Sequence, residues 1–341
     1  MSERLKELAS KASVGETQPW VQIPPSPPDF GFGGSSLPRL FVFLLLFVFL
    51  LIVALLVGPP ALRAKAQWQI ITWGKNAPEW NSKLGVTGSR IGCSDTPASC
   101  VARAASIAQE GVQVFLAVPL RQETVGYGTE YSKLAKGVSL LVEIGIDDLG
   151  DQYRKLIASD TAGAAGILDS FIDGVKSEGS TPKFGATIYE DDLDSPELSD
   201  AKMPAEVRSK FGLVHLYLHY RNHAGEIPAY LQRAAKLFPA AKIILGVYAY
   251  DRISYIPCGK GDSRPCGKQE EMNEFAKALD ADIALLKSGA ASGLEFYPGS
   301  FGREDEWAGW ERPGVCPGRK QECIDNTKAM RQMVADKLGK M

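Results

Sequence analysis

The sequence predicts an α/β domain with the form of a TIM-type (β/α) barrel, complete with eight strands or incomplete with seven, behind a single transmembrane helix. Three observations lead there. From residue 67 onward, strand-length apolar runs alternate with stretches of helical period; several of those strands are polar on one parity only; and one run of eighteen apolar residues stands apart near the N-terminus. The chain accordingly divides into an N-terminal tail (1–39), a membrane helix (40–57), a linker (58–66) and an extracytoplasmic barrel domain (67–341).

The tail holds Pro24-Pro25-Ser26-Pro27-Pro28 and a Gly/Ser stretch from Gly31 to Ser36, around a few aromatics, and cannot build a core of its own. Residues 40–57 (LFVFLLLFVFLLIVALLV) carry no charge and as a helix span about 27 Å, close to the hydrocarbon thickness of a bilayer. The run is long for a signal peptide, and Arg63 and Lys65 sit where a cleavage region is normally neutral, so an anchor is expected although Ala64-Lys65-Ala66 has the small-x-small form. Phe41, Phe43, Phe47 and Phe49 make the helix bulky and leave no small-xxx-small seam for self-pairing. Membrane lipid is its expected surrounding, with other integral-membrane subunits as expected partners of the helix and tail.

Arg63, Lys65 and Lys75 against Arg39 favour a cytoplasmic C-terminal domain, but large domains translocate largely regardless of such charges. The cysteines point the other way. All six occur as near neighbours, Cys93 with Cys100, Cys258 with Cys266 and Cys316 with Cys323, in Gly/Pro/Ser-rich stretches that suit local disulfide staples. Such bonds persist outside the cytoplasm, which places the domain in a periplasmic or extracellular space, with the N-terminus cytoplasmic and the helix in the inner membrane.

Within the domain, strands are expected at 68–73, 112–118, 138–144, 184–189, 213–218, 243–250 and 293–297, and helices at 101–110, 152–158, 164–177, 205–210, 227–237, 270–287 and 324–338. An eighth strand, if present, is hidden in the connection 73–100. Side-chain parity favours a barrel over an open sheet. In LVHLYLHYRN (213–222), His215, Tyr217 and His219 share one face, whereas a strand buried under helices on both sides is apolar on both. Ser139 with Glu143, Tyr248 with Tyr250, and Glu295 with Tyr297 repeat the pattern.

The motif Ala186-Thr187-Ile188-Tyr189-Glu190-Asp191-Asp192 sets three carboxylates at the C-terminal end of a strand, the end that carries active sites in barrels. Here the chain resembles the glycoside hydrolases with (β/α)₈ barrels, whose acid/base glutamate ends strand four and whose nucleophile lies on strand seven of the barrel. The resemblance implies Glu190 as acid/base and Glu295 as nucleophile. Tyr189 stands where that clan commonly has asparagine, and Glu295 lies two residues before its strand ends. Glu143, Asp191, His219, Tyr248, Tyr250, Trp307 and Trp310 are the expected carbohydrate-binding residues, the tryptophans by stacking on sugar faces.

With 38 basic and 40 acidic side chains and no basic block, nucleic acid is excluded as a partner. His215, His219 and His223 recur every four residues, but on a strand the first two stand about 13 Å apart, too far for one metal ion. The stretch from Gly261 to Gln269 has one residue too many for a phosphate loop and lacks its Ser/Thr, and Gly126-Tyr127-Gly128 is no dinucleotide fingerprint. No cofactor or metal is expected. Two functions of different class remain: an accessory or scaffolding subunit of a larger membrane assembly, such as a respiratory or photosynthetic complex, which is the expected one, and a membrane-tethered glycoside hydrolase acting on envelope or exported polysaccharide.

Overall fold

The structure, a computed structural model, describes residues 68–121, 126–179, 182–251, 268–312, 315–316 and 318–341. The tail, the helix 40–57, the linker and the Cys258–Cys266 pair lie outside the described residues. No helix among the described residues is long and apolar enough to cross a membrane.

Eight parallel strands close into a barrel: β1 (Gln69–Trp73), β2 (Gly88–Gly92), β3 (Gln113–Val118), β4 (Leu141–Ile146), β5 (Lys183–Tyr189), β6 (Leu213–Tyr217), β7 (Lys242–Tyr248) and β8 (Gly293–Tyr297). The sheet closes where Ile71 of β1 pairs with Glu295 of β8. The strand hidden in the 73–100 connection is β2, so the barrel is complete. Its sequence, Gly-Ser-Arg-Ile-Gly, holds one large apolar residue and carries little strand signal. The strand expected at 138–144 starts instead at Leu141, because Val138 closes a turn with Leu141 (N–H to carbonyl, 3.0 Å), and it runs on to Ile146.

Helices alternate with the strands: α1 (Pro78–Leu84), α2 (Pro97–Ala108), α3 (Tyr127–Ala135), α4 (Leu149–Ser159), α5 (Ala164–Lys176), α6 (Ala205–Arg208), α7 (Ile227–Leu237), α8 (Lys268–Ser288) and α9 (Lys320–Leu338). The sequence reading missed α1 and α3. The first is a two-turn helix set between Pro78 at its start and Gly85 at its end, where φ of 64° suits glycine. In α2, Thr96 caps the first turn by accepting from the Ser99 N–H, with Pro97 in the first helical position.

The outer face of the sheet and the inner faces of the helices form one apolar core, with Leu116, Ile144, Phe184 and Leu294 among its buried strand residues. Inside the barrel, Ile71, Phe115, Leu213 and Ile244 form a separate apolar plug toward the N-terminal end. Above it the interior changes character, as described below. At the opposite end the buried Arg331 of α9 donates to the carbonyls of Ala249, Pro298 and Ser300 and pairs with Glu304, fastening the loops after β7 and β8 at the barrel mouth.

Disulfides join Cys93 to Cys100 and Cys316 to Cys323, as the local spacing predicts. The first ties the end of β2 to α2. Cross-linking so short a loop stabilises the fold by about 2.5 kcal/mol in the chain-entropy account. The double substitution Cys93→Ser, Cys100→Ser is therefore expected to lower the melting temperature by roughly 5–10 °C in thermal denaturation followed by circular dichroism.

Candidate active site at the barrel mouth

The layer above the apolar plug takes one side chain from each even-numbered strand: Arg90 (β2), Glu143 (β4), His215 (β6) and Glu295 (β8), all completely buried. Barrel interiors are usually filled at this depth by branched apolar residues. Here two cations face two carboxylates, so the formal charges cancel. His215 bridges them, its Nε2 lying 2.6 Å from Glu143 Oε2 and its Nδ1 2.7 Å from Glu295 Oε2. Arg90 Nη1 lies 3.7 Å from Glu143 Oε1 and 3.5 Å from Glu295 Oε2. Glu295 also accepts from Trp73 Nε1–H (2.7 Å) and from the Tyr217 hydroxyl (2.6 Å). Two strand glycines make the room: a Cβ at Gly145 or Gly185 would collide with the Glu143 carboxylate.

Burial alone would push the Glu295 carboxyl up, but the His215 and Arg90 charges and its hydrogen bonds hold it down, at about 2. His215 is opposed by burial and by Arg90, yet its two carboxylates raise it above its ordinary value.

Over this layer opens a cleft of about 620 Å³ at the C-terminal ends of the strands. Trp73, Tyr189, Tyr217, His219, Tyr248, Tyr250 and Tyr297 line it with rings, and Asp147, Asp148, Asp191 and Asp192 with carboxylates. Tyr189 stacks on His219 with centroids 3.9 Å apart, and its hydroxyl donates to Asp148. A second hollow of about 480 Å³ shares Asp148 and Asp151 with the cleft and carries it past α4 toward Arg121 and Lys155.

Asp147 and Asp148 follow β4 directly. Asp148 is held in the left-handed region at φ 48°, a conformation that non-glycine residues adopt rarely and that clusters at functional sites. Burial pushes the Asp147 carboxyl up; the Arg90 charge pulls it part of the way back.

Of the residues expected from the sequence, Asp191, His219, Tyr248 and Tyr250 meet in the cleft. Glu143 and Glu295 lie in the sealed layer beneath it. Glu190 is tucked under the segment after β6, where its carboxylate accepts the backbone N–H groups of His219 (2.8 and 2.9 Å) and Tyr220 (3.1 Å), and it does not line the cleft. Trp310 is buried, donating its Nε1–H to the Glu304 carbonyl, and Trp307 packs on it and on Tyr250, so these rings support the cleft wall from behind. Reading the sequence missed Trp73, Asp147 and Asp148 as cleft residues. A signal for Asp147 was present: it continues the parity of Glu143 and Gly145 one step past the strand.

Burial pushes Glu190 up to about 7, against the pull of the backbone N–H groups of His219, Tyr220 and Glu190 itself. A carboxyl whose folded value lies above its ordinary 4.5 binds more protons in the native than in the unfolded state between those limits, so stability falls as pH rises from about 4.5 to 7. Urea unfolding at pH 5 and pH 8 is expected to reveal a loss on the order of 2 kcal/mol that the variant Glu190→Gln abolishes.

No family model matches this chain, and no curated protein matches it. Solved structures do. The fold is similar to glycoside hydrolase barrels. A GH18 chitinase from Pseudoalteromonas aurantia aligns at 13% identity over 78% of this chain and 99% of its own, with a TM-score of 0.45. The GH113 β-mannanase AaManA from Alicyclobacillus acidocaldarius aligns at 10% identity over 80% and 96%, with a TM-score of 0.45. The exo-β-1,4-mannosidase Op5Man5 from Opitutaceae bacterium strain TAV5 gives 8% identity, 80% and 60% coverage, and a TM-score of 0.49. Likeness at this level is a likeness of fold.

Proposed function

We propose that the barrel is a glycoside hydrolase, with Asp147 as the proton donor and Asp191 as the second carboxylate. The observation that carries the reading is the ring-lined cleft at the barrel mouth with a desolvated carboxyl, Asp147, in its wall. Aromatic faces suit the apolar faces of sugar rings, and the continuation past α4 gives length for an oligosaccharide. Hydrolysis needs one carboxyl that keeps its proton until the leaving oxygen takes it, and one carboxylate that attacks the anomeric carbon or takes a proton from the attacking water. Asp147, raised by burial, suits the first role, and Asp191, exposed to the cleft, suits the second. Glu295 is committed to four partners in a sealed layer, which leaves its carboxylate no path to an anomeric carbon.

The two disulfides support an oxidising compartment for the domain. With residues 40–57 proposed as the anchor, the substrate is an envelope or exported polysaccharide. The test is to extract the full chain in mild detergent and assay release of reducing ends from chitin, β-1,4-mannan and β-1,3-glucan oligosaccharides, beside Asp147→Asn, Asp191→Asn and Glu190→Gln. Turnover that survives Glu190→Gln and vanishes in both aspartate variants is expected. Absence of turnover on every glycan, with migration of the native protein in a large complex, would overturn the enzyme and return the accessory-subunit reading.

A further inference from the structure

The part of the cleft wall that carries Tyr248 stands where the sheet has run out on one side. β6 ends at Tyr217, opposite Gly246, while β7 continues to Tyr248 and stays in line with β8 through the Ala249 N–H, which donates to the Tyr297 carbonyl at 2.8 Å. Successive backbone groups of a strand point to alternate sides, so the carbonyls of Tyr248 and Tyr250 face the side that β6 has left. Arg221, in the segment after β6, reaches them there. Its Nη2 donates to the Tyr248 carbonyl at 2.8 Å and to the Tyr250 carbonyl at 2.6 Å, one N–H for each. Arg221 is 4% exposed, and its guanidinium lies over the Phe275 ring of α8, 5.2 Å from the centroid. The backbone it springs from is held in turn, since Glu190 accepts from the N–H groups of His219 and Tyr220 just before it. On the other side Arg331 takes the Ala249 carbonyl at 3.0 Å, so two buried guanidiniums fix three consecutive carbonyls.

What these bonds hold in place is a pair of rings. Tyr248, half-buried, and Tyr250, 3% exposed, both line the cleft and meet edge to face with centroids 6.1 Å apart. Tyr250 rests in turn on Trp307, at 5.0 Å. We infer that Arg221 is a positioning residue for ligand binding, fixing the backbone at 248 and 250 so that the Tyr248 ring, backed by Tyr250, stands as a rigid platform for a sugar face. Charge-assisted bonds from a planar fork set direction as well as distance, and a lysine ammonium does not reproduce that geometry at two carbonyls. Arg221 itself does not line the cleft. Its loss therefore acts on binding through the rings rather than on the chemical step. The inference rests on the hydrolase reading for the nature of the ligand, whereas the hold on the rings is measurable without one.

The experiment has two arms, both on the full chain in mild detergent. In the first, 3-fluorotyrosine is incorporated and followed by fluorine NMR, with Tyr248→Phe and Tyr250→Phe assigning their resonances. Tyr153, buried in α4 and donating to the Lys202 carbonyl, serves as the internal reference, assigned by Tyr153→Phe. Arg221→Met keeps an apolar stem over Phe275 and removes every donor. It is expected to shift the Tyr248 and Tyr250 resonances and leave that of Tyr153 in place, with a smaller shift in Arg221→Lys. In the second arm, on the glycan that is turned over, Arg221→Met is expected to raise KM about tenfold, the worth of one charge-assisted hydrogen bond, with kcat changed less than about twofold. Arg221→Lys is expected to recover part of that loss. Should the methionine variant not fold, the lysine variant reads both quantities at smaller amplitude. Ring resonances unmoved in the folded variants, shifts spread equally to Tyr153, or a loss confined to kcat would overturn the inference. Absence of turnover in the wild type, with the two ring shifts present, would instead overturn the hydrolase reading and leave the positioning role standing.

Discussion

Glu295→Ala is expected to destabilise the domain by about 3–5 kcal/mol, lowering its melting temperature by roughly 6–20 °C. The size follows from what the carboxylate serves. Trp73 Nε1–H and the Tyr217 hydroxyl lose their acceptor, and Arg90 and His215 remain in a sealed interior with one carboxylate between them. A buried ion pair adds little against an apolar replacement of the whole cluster, but removing one partner leaves a charge with neither water nor counter-ion. Glu295→Gln keeps the shape and an acceptor and is expected to cost less. The pH dependence separates charge from shape. A carboxyl held at about 2 when folded, against an ordinary 4.5, contributes stability that is full above about 4.5 and is lost as pH falls toward 2. Guanidinium-chloride unfolding from pH 5 down to pH 2.5 should therefore show an acid-side slope in the wild type that Glu295→Gln reduces. A loss below 1 kcal/mol in the alanine variant would show that the layer is replaceable filler.

The second large effect concerns rate. Asp147→Asn keeps the size and most of the hydrogen bonding of the side chain and removes only the transferable proton. On the proposed mechanism kcat is expected to fall by about 10²–10⁴, the usual worth of a positioned general acid, with KM changed little. The control is a substrate with a leaving group that needs no proton, such as an aryl glycoside of the sugar that is turned over. Activity of Asp147→Asn on that substrate should recover most of the loss. Equal losses on both substrates would place Asp147 in a binding rather than a proton-transfer role. Unchanged kinetics on the natural glycan would remove it from the chemistry.

The fold was largely legible because parity and alternation are local properties of the chain. His215 and Tyr217 announced a polar interior, and Glu143 and Glu295 share it, as their parity indicates. Depth along the barrel axis was not legible. Parity says which side of the sheet a residue faces, but two residues along a strand amount to about 6.6 Å, the difference between a sealed layer and an open mouth. That difference depends on strand stagger, which is a property of pairings such as Ile71 with Glu295 and Tyr189 with Tyr217. Glu295 therefore read as a mouth residue, and Asp147, one residue beyond its strand, did not. Arg90 escaped notice for another reason: its strand is too poor in apolar residues to announce itself. Trp307 and Trp310 carried a stacking signal from composition alone, and composition does not say that Tyr250 and Glu304 occupy them.

The ring of eight strands has a last consequence, for association rather than catalysis. Every strand, from β1 round to β8 and back, has a neighbour on both sides, so among the described residues no strand offers an unpaired row of backbone N–H and C=O groups. A passing extended peptide finds no strand of the barrel to extend, and the barrel sheet cannot seed edge-to-edge stacking of its own copies. Any protein that grips this domain must therefore read side chains, on the helical exterior or on the loops at either end. A search for such a partner is best aimed at those surfaces and at the chain that precedes the barrel.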